Sequence, residues 1–253
     1  MQETTKIAVA GGTGRVGEHV VDVLGERGYE AVPIARSKGV DVITGDGLDD
    51  AVAGAQVIID VATGPSPAEA EATAFFTTAT DNLEAAGERA GVERMVVVSI
   101  IGTGRFASGY NAAKQAHERA ALAGPVPAHI LRAAQFHEFV GTMLDWGRQG
   151  DGLAYVPVMR TQLVAARAVA EALVDAATAA DFAAGSIGEV AGPREEQLAD
   201  MARLLVAKRG EALRIEARKN PGDPDAAQLA SGALLAGPGA ILAGPTFSEW
   251  LDA

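Results

Sequence analysis

Cysteine is absent from the 253 residues, which excludes disulfides, thiolate nucleophiles and cysteine-ligated metals together. Histidine is scarce, and His19, His117, His129 and His137 lack the close pairing that metal ligands favour, so no metal site is expected. No apolar run approaches the ~20 residues needed to cross a bilayer. Positive charge is also in deficit: 21 Lys and Arg stand against 33 Asp and Glu, a net charge of −12. Such a molecule repels nucleic acid and anionic lipid, so neither is an expected partner and the acidity serves solubility. The opening Met-Gln-Glu-Thr-Thr-Lys has no apolar signal-peptide core, which predicts a cytoplasmic protein.

What is present is ordinary for a soluble globular protein, with 48% hydrophobic and 21% charged residues. The length suits one large α/β domain, or such a domain with a lobe. Short, β-branched, nearly continuous apolar runs occur at Ile7–Ala10, Ala31–Ala35, Val40–Thr44, Val57–Val61 and Met95–Ser99. Runs of this kind suit parallel strands buried on both faces. Helical patterns separate them at Gly14–Arg27, Ala68–Ala90 and Tyr110–Ala123, with a short turn near Leu48–Val52. The alternation predicts a doubly wound parallel sheet. A sixth strand is expected at Ala128–Arg132.

Beyond residue 134 the rhythm changes. Gln135–Gly147 reads as helix, Leu163–Val164 as a short strand, Ala165–Thr178 as helix, Ser186–Val190 as extended and Arg194–Arg209 as helix. The tail from Asn220 to Ala253, rich in Gly, Pro and Ala, has no clear pattern. The expected organisation is one α/β domain over residues 1–253, to which 135–159 and 180–253 contribute a small substrate-binding lobe.

Between the first strand and the first helix lies Gly11-Gly12-Thr13-Gly14-Arg15-Val16-Gly17, a G-x-x-G-x-x-G pattern. One glycine permits the tight turn, one lets backbone N–H groups approach a pyrophosphate, and one lets helix pack on strand. The helix N-terminus adds partial positive charge. A bare glycine turn without ligand is the plainer alternative, but the strand–turn–helix context favours nucleotide binding. The second strand ends Ile34-Ala35-Arg36-Ser37, without the carboxylate that usually holds an NAD ribose. Arg15, Arg36 and Ser37 instead suit a 2′-phosphate, which places NADP(H) ahead of NAD(H). Asp46 is a candidate acceptor for the adenine amine, or else a helix cap. Ala62, Thr63 and Gly64, after the run Val57–Val61, are small enough for close approach of the nicotinamide ribose.

Tyr110 and Lys114 stand four positions apart on one helix face, and Ser99 ends a strand at the carboxyl edge, where open α/β sheets bind ligands. A free phenol has a pKa near ~10, and a neighbouring ammonium brings it toward the working range. Tyr110 is therefore the candidate acid/base, Lys114 its partner and a ribose ligand, and Ser99 the group that orients a carbonyl oxygen. Taken alone the Tyr/Lys spacing also fits an amphipathic helix with a half-buried tyrosine. Gln135, Phe136 and His137 are candidate substrate contacts, with simple core packing as the alternative.

The glycine pattern, Asn82-Leu83-Glu84-Ala85-Ala86, the stretch Ala90–Ser99 and the pair Tyr110/Lys114 together resemble the short-chain dehydrogenase/reductase superfamily. Its atypical, NmrA-like NAD(P)H-binding branch is the most similar, and the likeness extends through Ile130–Phe139 and Thr246–Leu251. The resemblance implies a Rossmann-type sheet, NADP(H) along its carboxyl edge and a variable C-terminal lobe for a small-molecule substrate. It also implies long helices of the kind that pair between subunits in a homodimer. Three activities fit: an NADP(H)-dependent oxidoreductase acting on a small carbonyl or related compound, a non-catalytic dinucleotide sensor, and an isomerase or epimerase that uses the cofactor transiently.

Overall fold

The computed structural model describes residues 4–150, 152–219, 222 and 224–253. Asn220, Pro221 and Asp223, at the start of the tail, lie outside the described residues. Along the first half the chain runs β1 (Lys6–Ala10), α1 (Arg15–Glu26), β2 (Glu30–Ile34), α2 (Leu48–Val52), β3 (Val57–Asp60), α3 (Glu69–Ala90), β4 (Arg94–Ile100), α4 (Gly109–Ala123) and β5 (Ala128–Ala133). It continues through α5 (Phe139–Trp146), β6 (Leu153–Pro157), β7 (Arg160–Thr161), α6 (Ala166–Thr178), β8 (Ile187–Ala191) and β9 (Glu196–Gln197). The last elements are α7 (Leu198–Arg209), β10 (Arg214–Arg218), α8 (Ala226–Ser231), β11 (Ile241–Leu242) and α9 (Phe247–Asp252).

Seven strands among the described residues form one parallel sheet in the order β11-β8-β5-β4-β3-β1-β2. β1, β3 and β4 are apolar at nearly every position because helices cover both sides. On one side Ile7, Val9, Ile59 and Val96 meet Val20 and Leu24 of α1 and Val169 and Leu173 of α6. On the other, Ala8, Ile58, Met95 and Val97 meet Leu48, Leu83, Ala121 and Val126 around α2, α3 and α4. Burying each such Ile or Leu contributes ~1.5–3 kcal/mol. The doubly wound sheet expected from the alternating pattern is the observed architecture.

A third core lies beyond the sheet. Val140 and Leu144 of α5, Ala154 and Val156 of β6, Met201 and Leu205 of α7, Ile215 of β10 and Phe247 of α9 pack together. β6 pairs with β10 in parallel, and β7 with β9 antiparallel, so this region carries two small sheets of its own.

Four expected elements differ. Val40–Thr44 is not a strand: Gly39 and Gly45 have φ of 78° and 81°, and the chain between them loops. Its carbonyls at Val42 and Ile43 are met by the Asn82 side chain of α3, each at 2.9 Å, in place of a neighbouring strand. The helix expected from Gln135 starts only at Phe139, because Phe136 bridges in parallel to Val164. For the same reason Leu163–Val164 contributes a single bridge. The helix expected from Arg194 starts at Leu198, after Glu196 and Gln197 pair with β7.

Candidate functional site

The glycine loop joins β1 to α1 at the carboxyl edge of the sheet, and its glycines are required by space. Gly11 has φ of 77°, and a Cβ there would come within 2.8 Å of the Ala62 Cα. A Cβ on Gly17 would overlap the Gly11 carbonyl oxygen, so α1 begins against the loop's own backbone. The loop is closed by Gly12 N–H to the Val9 carbonyl and Gly14 N–H to the Gly11 carbonyl. No side chain caps α1: Gly14 occupies the cap position, which leaves the amides of Arg15, Val16 and Gly17 at the positive end of a 12-residue helix.

A cavity of about 790 Å³ opens beside this turn. Gly11, Thr13 and Gly14 line it from the loop, Arg36 and Ser37 from the turn after β2, and Ala62, Thr63 and Pro65 from the segment after β3. Arg15 and Arg36 are exposed and make no ion pair among the described residues. Arg15, Val16, Gly17, Asp46 and Gly64, also expected at the cofactor, lie outside this lining. Asp41 is the carboxylate that enters it, within a wall formed by Val40, Val42, Ile43 and Phe75. Asp41 was not singled out in the sequence, because it belonged to a run read as strand. A Cβ on Gly64 would come within 2.8 Å of the Phe75 ring, which fixes the far wall. The cavity, its glycine floor, the uncapped helix and the Arg36 guanidinium fit a dinucleotide in size and charge.

Tyr110 and Lys114 share the inward face of α4, but their surroundings differ. The Tyr110 hydroxyl lies 3.0 Å from Thr63 Oγ1, beside the cavity. Partial burial pushes its phenol above the ordinary value, opposed only by the Thr63 hydrogen bond. Lys114 was expected to reach the ribose and to lower the phenol. It is instead turned inward and 4% exposed. Its Nζ donates to the Val98 carbonyl at 2.8 Å and to His117 Nδ1 at 2.7 Å, and it sits 4.3 Å above the Phe76 ring. Burial lowers the ammonium's pKa to about 8, against Asp60 and Glu118, which favour the charge.

The cluster around Lys114 was not visible as a motif. His117 Nε2 donates to Asp60 Oδ2 at 2.9 Å, and Asp60 Oδ1 accepts from the Ala62 amide at 2.9 Å. A carboxylate only accepts here, so the His117 proton is on Nε2 and Nδ1 is free to receive Lys114. Burial and the nearby ammonium keep His117 neutral, with its pKa below the ordinary value. Burial opposes ionisation of Asp60, yet the His117 and Ala62 hydrogen bonds hold its carboxyl below the usual range. Glu118 pairs with Arg132 through two bonds of 2.8 and 2.7 Å. The signals in the sequence were a single Asp ending the apolar run Val57-Ile58-Ile59-Asp60, and His117 and Glu118 one turn beyond Lys114.

Ser99 is buried on the same sheet face as Met95 and Val97, opposite Arg132 of β5, and its Oγ has no partner among the described residues. The candidate substrate residues are largely taken up by structure. Gln135 Oε1 accepts from Thr161 Oγ1 at 2.9 Å, and Phe136 packs on the sheet core. His137 is 1% exposed. Its Nε2 donates to the Pro245 carbonyl at 3.0 Å, and its ring meets Phe247 and Trp250. It clasps the C-terminal segment, and it does not line the cavity.

No protein-family profile matches the sequence, and no curated protein matches it. Solved structures do. MoeE5 in complex with UDP-glucuronic acid and NAD superposes with a TM-score of 0.75 at 18% identity, over 98% of this chain and 96% of that one. The UDP-N-acetylglucosamine 4-epimerase of Bacillus cereus gives 0.71 at 17% identity, over 98% and 94%. A dTDP-4-dehydrorhamnose reductase from Clostridium acetobutylicum gives 0.70 at 17%, over 87% and 86%. These likenesses establish a shared Rossmann-type fold. No helix among the described residues is long and apolar enough to cross a membrane.

Proposed function

We propose that the chain is a nicotinamide-dinucleotide-dependent oxidoreductase of the short-chain dehydrogenase/reductase superfamily, using NADP(H) and acting on a small carbonyl compound. One observation carries the reading: the Gly11–Gly17 cradle opens onto a cavity whose lining includes Thr63, itself 3.0 Å from the Tyr110 phenol. The pyrophosphate would lie on the amides at the start of α1, with Arg15, Arg36 and Ser37 around a 2′-phosphate. The neighbours' NAD complexes and their epimerase and reductase names agree with a nicotinamide cofactor.

Bound there, the reduced nicotinamide supplies the hydride that a carbonyl carbon needs. Tyr110 donates its phenolic proton to the carbonyl oxygen, giving the alcohol, and regains a proton from solvent. Burial raises the phenol, so Tyr110 holds its proton until the developing alkoxide draws it off. Ser99, buried and outside the cavity lining, takes no part in the step. The substrate would be enclosed by the small C-terminal core, from segments 135–159 and 180–253.

The test follows absorbance of NADPH with a panel of aldehydes, ketones and quinones. Tyr110→Phe is expected to keep dinucleotide binding and to lose ~10²–10⁴-fold in turnover. Undiminished turnover would remove Tyr110 from the chemistry. Tight binding without turnover of any compound by the wild type would favour a dinucleotide sensor. A second reading, an epimerase, draws on the names of the structural neighbours; it would form product with no net consumption of cofactor.

A further inference from the structure

A phenol that gives up its proton leaves an anion behind, and a partly buried anion needs a hydrogen-bond donor. Most hydroxyls of the segments around the start of α4 are out of reach or already committed. Ser99 is buried on β4 and does not line the cavity. Thr103 is fully buried, and its Oγ1 donates to the Asn111 carbonyl at 2.7 Å. Ser108, which precedes α4, places its Oγ 3.4 Å from Asp225 Oδ2. Ser66 Oγ accepts from the Ala68 amide at 3.2 Å and shapes the turn into α3. Thr63 differs from all four. It is exposed, it lines the cavity, and its Oγ1 lies 3.0 Å from the Tyr110 oxygen.

The two oxygens are held from separate sides. The Val61 amide donates to the Ala10 carbonyl at 3.0 Å and the Ala62 amide to Asp60 Oδ1 at 2.9 Å, so the chain arrives at Thr63 tied to β1 and β3. Gly64, beyond it, packs so close to Phe75 that a Cβ would come within 2.8 Å of the ring. On the other side the Gly109 amide donates to Glu69 Oε2 at 2.7 Å, and the Tyr110 ring meets Phe76 edge-on at 5.7 Å. Thr63 is β-branched, and its restricted χ1 limits where the hydroxyl can turn.

We propose that Thr63 is a catalytic residue whose hydroxyl donates to the Tyr110 oxygen while the phenolic proton passes to the substrate carbonyl. The inference rests on the reading of Tyr110 as the acid, and it names the group that supports the oxygen left behind. Counting protons gives the direction. A phenol has one O–H, and when that proton faces the carbonyl the Tyr110 oxygen can only accept from Thr63. The proton that moves is the phenolic one; Thr63 keeps its own, and Tyr110 regains one from solvent. As charge develops on the phenolic oxygen, the Thr63 bond becomes charge-assisted and roughly twice as strong as a neutral one. This gain belongs to the transition state and not to the first encounter with substrate, so it appears in kcat. The same bond already opposes the effect of burial on the phenol. The second hydroxyl of the site thus comes from the segment after β3, and not from the end of β4, where Ser99 was expected to supply it.

Thr63→Val removes the hydroxyl at nearly constant shape, and Thr63→Ser keeps it. The side chain is exposed, so both proteins are expected to fold. With NADPH and a carbonyl that the wild type reduces, Thr63→Val is expected to lose ~10–100-fold in kcat, the range of a hydrogen bond to a charged group. KM for the carbonyl is expected to change little, and Thr63→Ser to recover most of the loss. An undiminished kcat in Thr63→Val would overturn the proposal, as would equal losses in both variants.

A second measurement does not depend on turnover. The full chain is made with 3-fluorotyrosine, whose phenol ionises at lower pH than that of tyrosine. The fluorine resonance that is missing from the Tyr110→Phe protein is then followed against pH. Asp60 of β3, Glu69 of α3 and Lys114 of α4 are the same in every variant, so a shift reports the hydroxyl. Thr63→Val is expected to ionise about one pH unit or more above the wild type, and Thr63→Ser close to it. An unshifted phenol in Thr63→Val would overturn the proposal. The expected shifts with no turnover of any carbonyl would remove the reductase reading while leaving the Thr63–Tyr110 pairing standing.

Discussion

Glu84 shows how much a single buried carboxyl can govern. It is 3% exposed on α3; one oxygen accepts from the Val126 amide at 2.9 Å, and the other has no partner among the described residues. Gly124 makes the room, since a Cβ there would collide with the Glu84 carboxyl. Burial raises its pKa to about 7; the Val126 bond opposes this, and Asp81 and Glu88 add to it. Between its ordinary value of 4.5 and about 7 the folded chain therefore keeps a proton that the unfolded chain has released. By linkage, stability contributed here falls as pH rises through that window and is fully lost above it. Glu84→Gln keeps the acceptor for Val126 and cannot ionise. Chemical denaturation is expected to find it close to the wild type at pH 5 and more stable at pH 8, by on the order of 2–3 kcal/mol. A gap that stays constant with pH would show that Glu84 titrates normally.

The loop from Val40 to Gly47 makes the corresponding case for a whole segment. It walls the cavity with Val40, Asp41, Val42 and Ile43, yet it has no strand to pair with. Within it Asp41 N–H meets the Asp46 carbonyl and Gly45 N–H the Asp41 carbonyl, Asp41 Oδ1 accepts from the Ile43 amide at 2.7 Å, and Asn82 supplies the two contacts that tie it to α3. Removing the Asn82 amide leaves two carbonyls without partners, a loss of roughly 1–3 kcal/mol in local order. Asn82→Ala is accordingly expected to speed hydrogen exchange of the amides from Asp41 to Gly47 by ~10-fold or more, with the amides of β1 and β3 unchanged. Exchange unaltered in the loop would mean that Asn82 is not what holds it.

The same segment shows where the sequence was legible. β1, β3 and β4 announced themselves because strands buried on both faces need apolar residues at nearly every position, and β5 because it follows Pro125 and Pro127. Val40–Thr44 has that composition too, but its fate was decided by Asn82, 40 residues away in the chain. Gly11, Gly14 and Gly17 were readable since their spacing encodes the turn itself. The Asp60–His117 bond spans 57 residues, and no local pattern reports such a meeting. His137 likewise read as a pocket residue because its partner, the Pro245 carbonyl, lies 108 residues on.

At the scale of the molecule, a chain of net charge −12 sets Arg36 in the lining of one cavity, beside the uncapped end of α1. Local positive potential of this kind recruits an anionic ligand that the molecule as a whole would repel. The sheet order places the cradle of β1 next to the segment after β3, so that Gly11 rests on Ala62, and Thr63 beyond it meets Tyr110. The glycine turn and the Tyr110 hydroxyl are thereby joined through Ala62 and Thr63.

Titration calorimetry of the purified chain with NADPH and with NADH tests the central claim most directly. The account predicts one site per chain and NADPH bound ~10-fold or more tightly than NADH, a preference worth about 1.4 kcal/mol. That preference is expected to vanish in the Arg15→Ala, Arg36→Ala double variant. Association of neither dinucleotide with the folded wild-type chain would contradict the account at its root.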